Sequence, residues 1–145
     1  MLILEKNKSI NFNIIGYEFP YMRPSKKGFD YDANWLHIEV DYCDGNTNKT
    51  YKDTCLLTYE LSELVDTLQL IINGSENSYI SDFMEPYLSV CITKIDEFII
   101  FVFSFVYDTT DVKWSKIGVT AKLTMEEAKD KVKELKDMEL KFPQR

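Results

Sequence analysis

The chain has 145 residues, 45% of them hydrophobic and 14% aromatic, which supplies enough apolar surface for the core of one folded domain and excludes an intrinsically disordered protein. Asp and Glu outnumber Lys and Arg by 24 to 17, and the net charge of −7 disfavours a nucleic-acid partner, because phosphates attract cations. The longest apolar run, residues 98–106, is much shorter than the roughly 20 residues of a membrane helix, and no signal peptide is recognisable, so we expect a cytoplasmic protein without a membrane partner.

The first part of the chain predicts strands, because apolar and polar residues alternate with a period of two. These strands cover residues 9–19, 34–42 and 47–57. Pro20 ends the first strand, and residues 21–31 are predicted to form a loop. The dipeptide Asp44-Gly45 predicts a hairpin turn between the second and third strands.

Two helices are predicted from apolar residues that recur every three or four positions. The first helix begins after a cap at Thr58 and ends at Gly74, and Glu60 and Glu63 are expected to lie on its solvent side. The second helix begins at the Thr124–Glu127 capping box and runs toward the end of the chain.

A second group of strands is predicted between the two helices, at residues 87–95, 98–107 and 116–123. Residues 98–107 are apolar on both faces, a pattern typical of a central strand covered on both sides. Most links between strands are too short for helical crossovers. We therefore predict one α+β domain, residues 1–145, with a mainly antiparallel sheet and two α-helices packed on it.

Negative charge is concentrated in the middle of the chain. Residues 30–112 contain sixteen Asp and Glu and three Lys, which gives −13, whereas residues 1–29 and 113–145 each carry +3. Such a field would steer a basic partner toward the protein, although acidic composition also serves solubility alone.

Recognisable catalytic or metal-binding motifs are missing from the sequence. The single histidine, His37, has no nucleophile motif near it, and Cys43, Cys55 and Cys91 lack the paired spacing of zinc ligands. Glycine-rich phosphate-binding loops are missing as well. We therefore predict that the protein is not an enzyme and holds no metal or cofactor.

Four segments are informative together: residues 16–20, 32–40, 55–61 and 83–90. The run Asp32-Ala33-Asn34-Trp35-Leu36 is the most specific piece. In their order and spacing these segments resemble the WapI-family immunity proteins, which are encoded beside wall-associated and Rhs-type contact-dependent toxins. The resemblance implies a cytosolic antitoxin that binds the C-terminal domain of a cognate toxin and blocks its active site. The best-known toxins of this kind cleave tRNA, so an acidic surface is the expected complement of a basic nuclease.

The residues expected to contact the toxin are the acids of the middle segment and one outward tryptophan. They are Asp30, Asp32, Trp35, Glu39, Asp41, Asp44, Glu60 and Glu63. For Trp35, an interface anchor and a core position both remain open, because strand 98–107 indicates cover on a second face. Asn34 and Leu57 are expected to serve the scaffold instead.

A second interpretation is a small-ligand or regulatory domain with a pocket lined by Tyr31, Trp35 and Tyr42. An enclosed apolar pocket would favour this alternative, whereas a flat acidic surface would favour the immunity protein.

Overall fold

The computed structural model describes residues 1–23 and 28–145, and in that part of the chain it contains two antiparallel four-stranded sheets and three helices. The first sheet contains β1 (Leu2–Glu5), β2 (Lys8–Tyr17), β3 (Trp35–Cys43) and β4 (Asn48–Leu57). The second sheet contains β5 (Ser78–Ile80), β6 (Leu88–Ile95), β7 (Phe98–Asp108) and β8 (Ser115–Thr124). The helices are α1 (Tyr31–Asn34), α2 (Thr58–Asn73) and α3 (Met125–Lys141). The predicted α+β class is confirmed.

Both sheets are meanders, in which each strand pairs with the next along the chain. Alternate side chains of each sheet face a shared core, where the rings of Phe12 and Phe103 lie 5.5 Å apart and those of Tyr51 and Phe105 lie 6.0 Å apart. The edge strands β1 and β8 are also neighbours. Glu5 covers part of the β8 edge, because its carboxylate accepts a hydrogen bond from the backbone N–H of Thr120 at 2.8 Å.

Helix α2 connects the two sheets, and its predicted apolar stripe is buried. Leu61, Leu64 and Leu68 are at most 3% exposed. Gly74 ends the helix with a φ of +79°, a left-handed conformation that favours glycine, and its N–H donates to the carbonyl of Ile71. The predicted end of this helix is therefore confirmed.

The predicted cap of α2 at Thr58 is wrong. The helix begins at Thr58 itself, and Leu57 occupies the cap position. Leucine has no side-chain acceptor, so only half of a capping box forms, in which Glu60 accepts the backbone N–H of Leu57 at 2.8 Å.

The second predicted capping box is confirmed at the start of α3. The Thr124 hydroxyl accepts the N–H of Glu127 at 3.3 Å, and the Glu127 carboxylate accepts the N–H of Thr124 at 2.7 Å. Ala128, Val132 and Leu135 pack α3 into the core.

The expectation that β7 is covered on both faces is wrong for the residues that the structure describes. The Phe101 and Phe103 side of the strand is buried, whereas Ile100 and Val102 on the other side are only half-buried. Their cover comes from neighbouring strands of the same sheet, including Lys122 of β8, which pairs with Ile100.

The short elements β1, β5 and α1 are absent from the sequence-based predictions. Helix α1 begins at Tyr31, the last residue of the predicted loop over residues 21–31, and residues 24–27 of that loop lie outside the described residues. No helix in the described ranges is both long and apolar enough to cross a membrane.

Candidate protein-binding surface

The residues expected to contact a partner fall into two groups in the structure. The first group lies on the β3–β4 hairpin and contains Glu39, Asp41 and Asp44. The second group lies around α1 and the first turns of α2 and contains Asp30, Asp32, Trp35, Glu60 and Glu63. The carboxylates of the first group all have partners inside the chain, whereas the second group combines the engaged carboxylates of Asp30 and Glu60 with the exposed ones of Asp32 and Glu63.

The hairpin carboxylates have partners within the protein. Glu39 forms an ion pair with the ammonium group of Lys52 at 2.9 Å. Asp41 accepts a hydrogen bond from the Thr50 hydroxyl at 2.7 Å. Asp44 accepts the backbone N–H groups of the turn that it begins. These carboxylates are therefore partly neutralised by groups of the hairpin and attract a basic partner less strongly.

Asp44 makes the stability of the hairpin turn dependent on pH. The N–H groups of Asn46 and Thr47, at 3.0 and 2.8 Å, hold the pKa of the Asp44 carboxyl below its ordinary value. A lowered acid pKa stabilises the fold above the unfolded value of about 3.9, and this contribution is lost as the pH falls through the folded pKa.

We expect Asp44→Asn to reduce this dependence, because the amide oxygen can still accept the turn N–H groups and does not titrate. Urea midpoints measured at pH 7 and pH 3 should show a smaller fall for the variant than for the wild type. An equal fall in both proteins would show that the Asp44 carboxylate does not contribute to acid sensitivity.

Glu60 does not face solvent, so the expectation that it contacts a partner is wrong. Its side chain is 1% exposed, and its two carboxylate oxygens accept the N–H groups of Leu57 at 2.8 Å and Met84 at 2.6 Å. Burial raises the pKa of the Glu60 carboxyl, and these two N–H groups act in the opposite direction. Glu60 therefore ties the loop after β5 to the first turn of α2.

Exposed aromatic and acidic side chains surround this buried carboxylate. The ring of Phe29 makes edge-to-face contacts with Tyr31 at 5.0 Å and with Tyr59 at 5.4 Å. Tyr31 is 50% exposed, and Asp32 and Glu63 are exposed as well. Within the described ranges, neither of these two carboxylates has a cationic side chain within ion-pair distance.

Asp30 and Trp35 border the same region at the two ends of α1. The Asp30 side chain caps this helix by accepting the N–H of Ala33 at 3.4 Å. Trp35 is half-buried at the start of β3, on the same side of the strand as His37, whose ring nitrogen lies 3.0 Å from the Thr54 hydroxyl. Half-burial of Trp35 is compatible with both interpretations of this residue.

The family motif around Asn34 serves the scaffold. Asn34 is fully buried, and its amide nitrogen donates to the carbonyls of Asp30 at 2.7 Å and Arg145 at 3.0 Å. Its amide oxygen accepts the Thr58 hydroxyl and the Arg145 N–H, both at 2.8 Å. One amide thus joins α1, the start of α2 and the segment after α3.

The aromatic pocket of the alternative interpretation does not form. Tyr42 packs against the core, whereas Trp35 lies on the opposite face of β3, so these two side chains cannot line one cavity with Tyr31. A surface cavity of about 490 Å³ lies elsewhere and is lined by residues that include Thr58, Ser62 and Phe142. In the part of the chain that the structure describes, no cluster of His, Cys, Asp and Glu is arranged to hold a metal ion.

The sequence-based predictions missed four residues of this region: Phe29, Tyr59, Asp82 and Met84. Phe29 lies in the predicted loop, and Asp82 and Met84 lie in a segment without periodicity. The available signal was the placement of aromatic residues beside acids at Phe29-Asp30-Tyr31-Asp32 and Tyr59-Glu60, which is a feature of protein interfaces.

Exposed aromatic and acidic side chains that stand on a fixed scaffold are typical of protein-binding surfaces. The immunity protein WapI-like family matches residues 1–143, so the chain belongs to this family, and the resemblance found in its motifs is confirmed. Membership in an immunity-protein family indicates neutralisation of a toxin. Neither a curated protein nor a solved structure matches the chain.

Proposed function

We propose that this chain acts in the cytoplasm by binding the C-terminal domain of a cognate toxin and covering its active site with an acidic surface. The toxin is a basic ribonuclease, with tRNA as its substrate class. The observation that carries the proposal is the net charge of −13 over residues 30–112, in a chain that belongs to an immunity-protein family. A nuclease must present cations to the phosphates of its substrate, and a rigid acidic surface competes for the same cations.

Co-expression tests the proposal directly. The toxin C-terminal domain encoded beside this gene is induced alone, with this protein, or with an unrelated acidic protein of similar size. We expect growth arrest and tRNA fragments in the first and third cultures, and growth with intact tRNA in the second. Arrest in the presence of this protein would contradict neutralisation, whereas neutralisation of a toxin that leaves RNA intact would contradict the ribonuclease assignment alone.

Binding and catalysis differ in stoichiometry. If the protein neutralises by occlusion, purified toxin activity, assayed at concentrations well above the Kd, should fall linearly with added protein and vanish near an equimolar ratio, because each molecule occupies one toxin molecule and turns over no substrate. We expect such an interface to bury about 800 Å² per partner. Loss of toxin activity at a small fraction of one equivalent would instead show that the protein modifies the toxin enzymatically.

A further inference from the structure

An exposed surface of aromatic and acidic side chains surrounds the N-terminal end of α2. Its members are Phe29, Tyr31, Tyr59, Glu63, Asp82 and Met84, here called the aromatic–acidic surface. Phe29 is 36% exposed, Met84 is 49% exposed, and Glu63 and Asp82 are exposed. Large apolar side chains that remain at the surface beside charges are typical of interfaces.

Contacts inside the protein hold this surface in place. The Phe29 ring lies 5.0 Å from the ring of Tyr31 and 5.4 Å from the ring of Tyr59, and the buried Glu60 holds the backbone of Met84 against the first turn of α2. A surface that is ordered before binding loses little conformational entropy when a partner docks.

In addition to burial, the carboxylates around this surface raise the pKa values of the same two tyrosine hydroxyls, those of Tyr59 and Tyr79. The pKa of the Tyr79 hydroxyl is raised first by burial, and then by the negative charges of Glu63, Glu60 and Asp82. The pKa of Tyr59 is raised by burial and by Glu60, Tyr31 and Glu63. Glu63 contributes to both shifts, which indicates that α2 and the loop after β5 present one negative field.

The segments that build this surface contain no cation. Neither residues 28–48 nor residues 53–93 include a single Lys or Arg, although they contain twelve Asp and Glu. By contrast, the acids of the β3–β4 hairpin have partners within the chain, and the half-buried apolar face of β7 is bordered by Lys116 and Lys122. Of these three surfaces, the aromatic–acidic surface is the one whose charge is best suited to a basic partner.

We propose that the aromatic–acidic surface docks an arginine- and lysine-bearing face of the toxin, with Tyr31 as the exposed anchor and Glu63 and Asp82 as the charged rim. This inference rests on the proposed function. Tyrosine rings suit a guanidinium group, because the cation lies over the ring face. The protein itself contains such a pair, since the guanidinium carbon of Arg145 lies 3.4 Å from the centre of the Tyr17 ring.

The test measures binding kinetics with the toxin C-terminal domain encoded beside this gene, at low and at high salt. The variants are Tyr31→Ala and the double charge reversal Glu63→Lys/Asp82→Lys. The matched control is Glu76→Lys/Glu97→Lys, which changes the net charge equally. Both control positions are exposed. Glu76 lies at the C-terminal end of α2, which is about 24 Å long, and Glu97 lies in the turn between β6 and β7. Thermal unfolding of each variant verifies that it is folded.

We expect Tyr31→Ala to raise the Kd about tenfold, mainly through faster dissociation. The Glu63→Lys/Asp82→Lys variant should associate at least about tenfold more slowly at low salt and lose much of the salt dependence, while the control changes little. If both test variants bind the toxin with the same Kd and the same rates as the wild type, the interface lies elsewhere and the proposed function is unaffected. No binding by the wild type would overturn both.

Discussion

Replacing Asn34 by alanine is expected to lower the free energy of unfolding by about 3–5 kcal/mol, because the change removes four hydrogen bonds from a fully buried site. Each buried donor or acceptor that loses its partner costs about 1–3 kcal/mol, and water cannot replace all of them in a packed interior. Urea denaturation at pH 7, followed by tryptophan fluorescence, measures this loss.

Asn13→Ala is the matched control for this variant, because Asn13 is a half-buried asparagine on β2, and its replacement is expected to cost about 0.5 kcal/mol or less. Hydrogen exchange adds a local measurement. Loss of the Asn34 amide should expose the N–H of Arg145, which donates to Asn34, and that of Phe142 to exchange before the core opens. Unchanged stability together with unchanged exchange would contradict a structural role for Asn34.

Replacing Glu60 by alanine is expected to cost about 2–3 kcal/mol, although Glu60 carries the same kind of charge as its exposed neighbours. The change leaves the N–H of Leu57 without its acceptor in a buried position and frees the backbone of Met84. Part of the loss is offset, because the fold holds the Glu60 carboxylate where burial raises its pKa.

Glu63→Ala, three positions further along the same helix, is the control and is expected to change stability by less than about 0.5 kcal/mol, because Glu63 is exposed. The raised pKa of Glu60 gives a second measurement. A raised acid pKa stabilises the fold at low pH, and this contribution is lost as the pH rises through the folded pKa, so the pH profile of Glu60→Gln should lack that decline. Similar losses for Glu60→Ala and Glu63→Ala would contradict the assigned difference between them.

The elements that the sequence predicts well are those whose signals are local. The left-handed Gly74, the Thr124–Glu127 capping box and the turn at Asp44-Gly45 each depend on residues within four positions of one another. Strands β2, β3, β4, β6, β7 and β8 are predicted to within about two residues for the same reason, since alternation is read directly from neighbouring positions.

The features that the sequence does not predict depend on distant contacts. Asn34 acquires its role from Arg145, which lies 111 positions away. Glu60 occupies a polar position next to an apolar stripe, and only the approach of Met84 makes it a buried acceptor. The second apolar face of β7 has the same pattern whether or not another layer covers it, so periodicity alone could not settle that point.

The sequence indicates only some of the features that support the proposed toxin-binding surface. The sequence indicated an acidic middle segment, in which Asp32 and Glu63 are exposed, but it did not indicate that the hairpin carboxylates have internal partners or that Phe29 joins Tyr31 to Tyr59. Interface residues are selected by a partner rather than by the fold, so they leave no periodic trace in a single chain.

Helix α1 has one buried side, which serves the fold, and one exposed side. Ala33 and Asn34 are buried and fix the path of the backbone, whereas Tyr31 and Asp32 on the same turn reach solvent. Related proteins that keep Ala33 and Asn34 can therefore replace Tyr31 and Asp32 without a change in the core. The proposed toxin-binding surface can therefore adapt to a changed toxin through a few exposed side chains, while the buried residues that hold the fold stay the same.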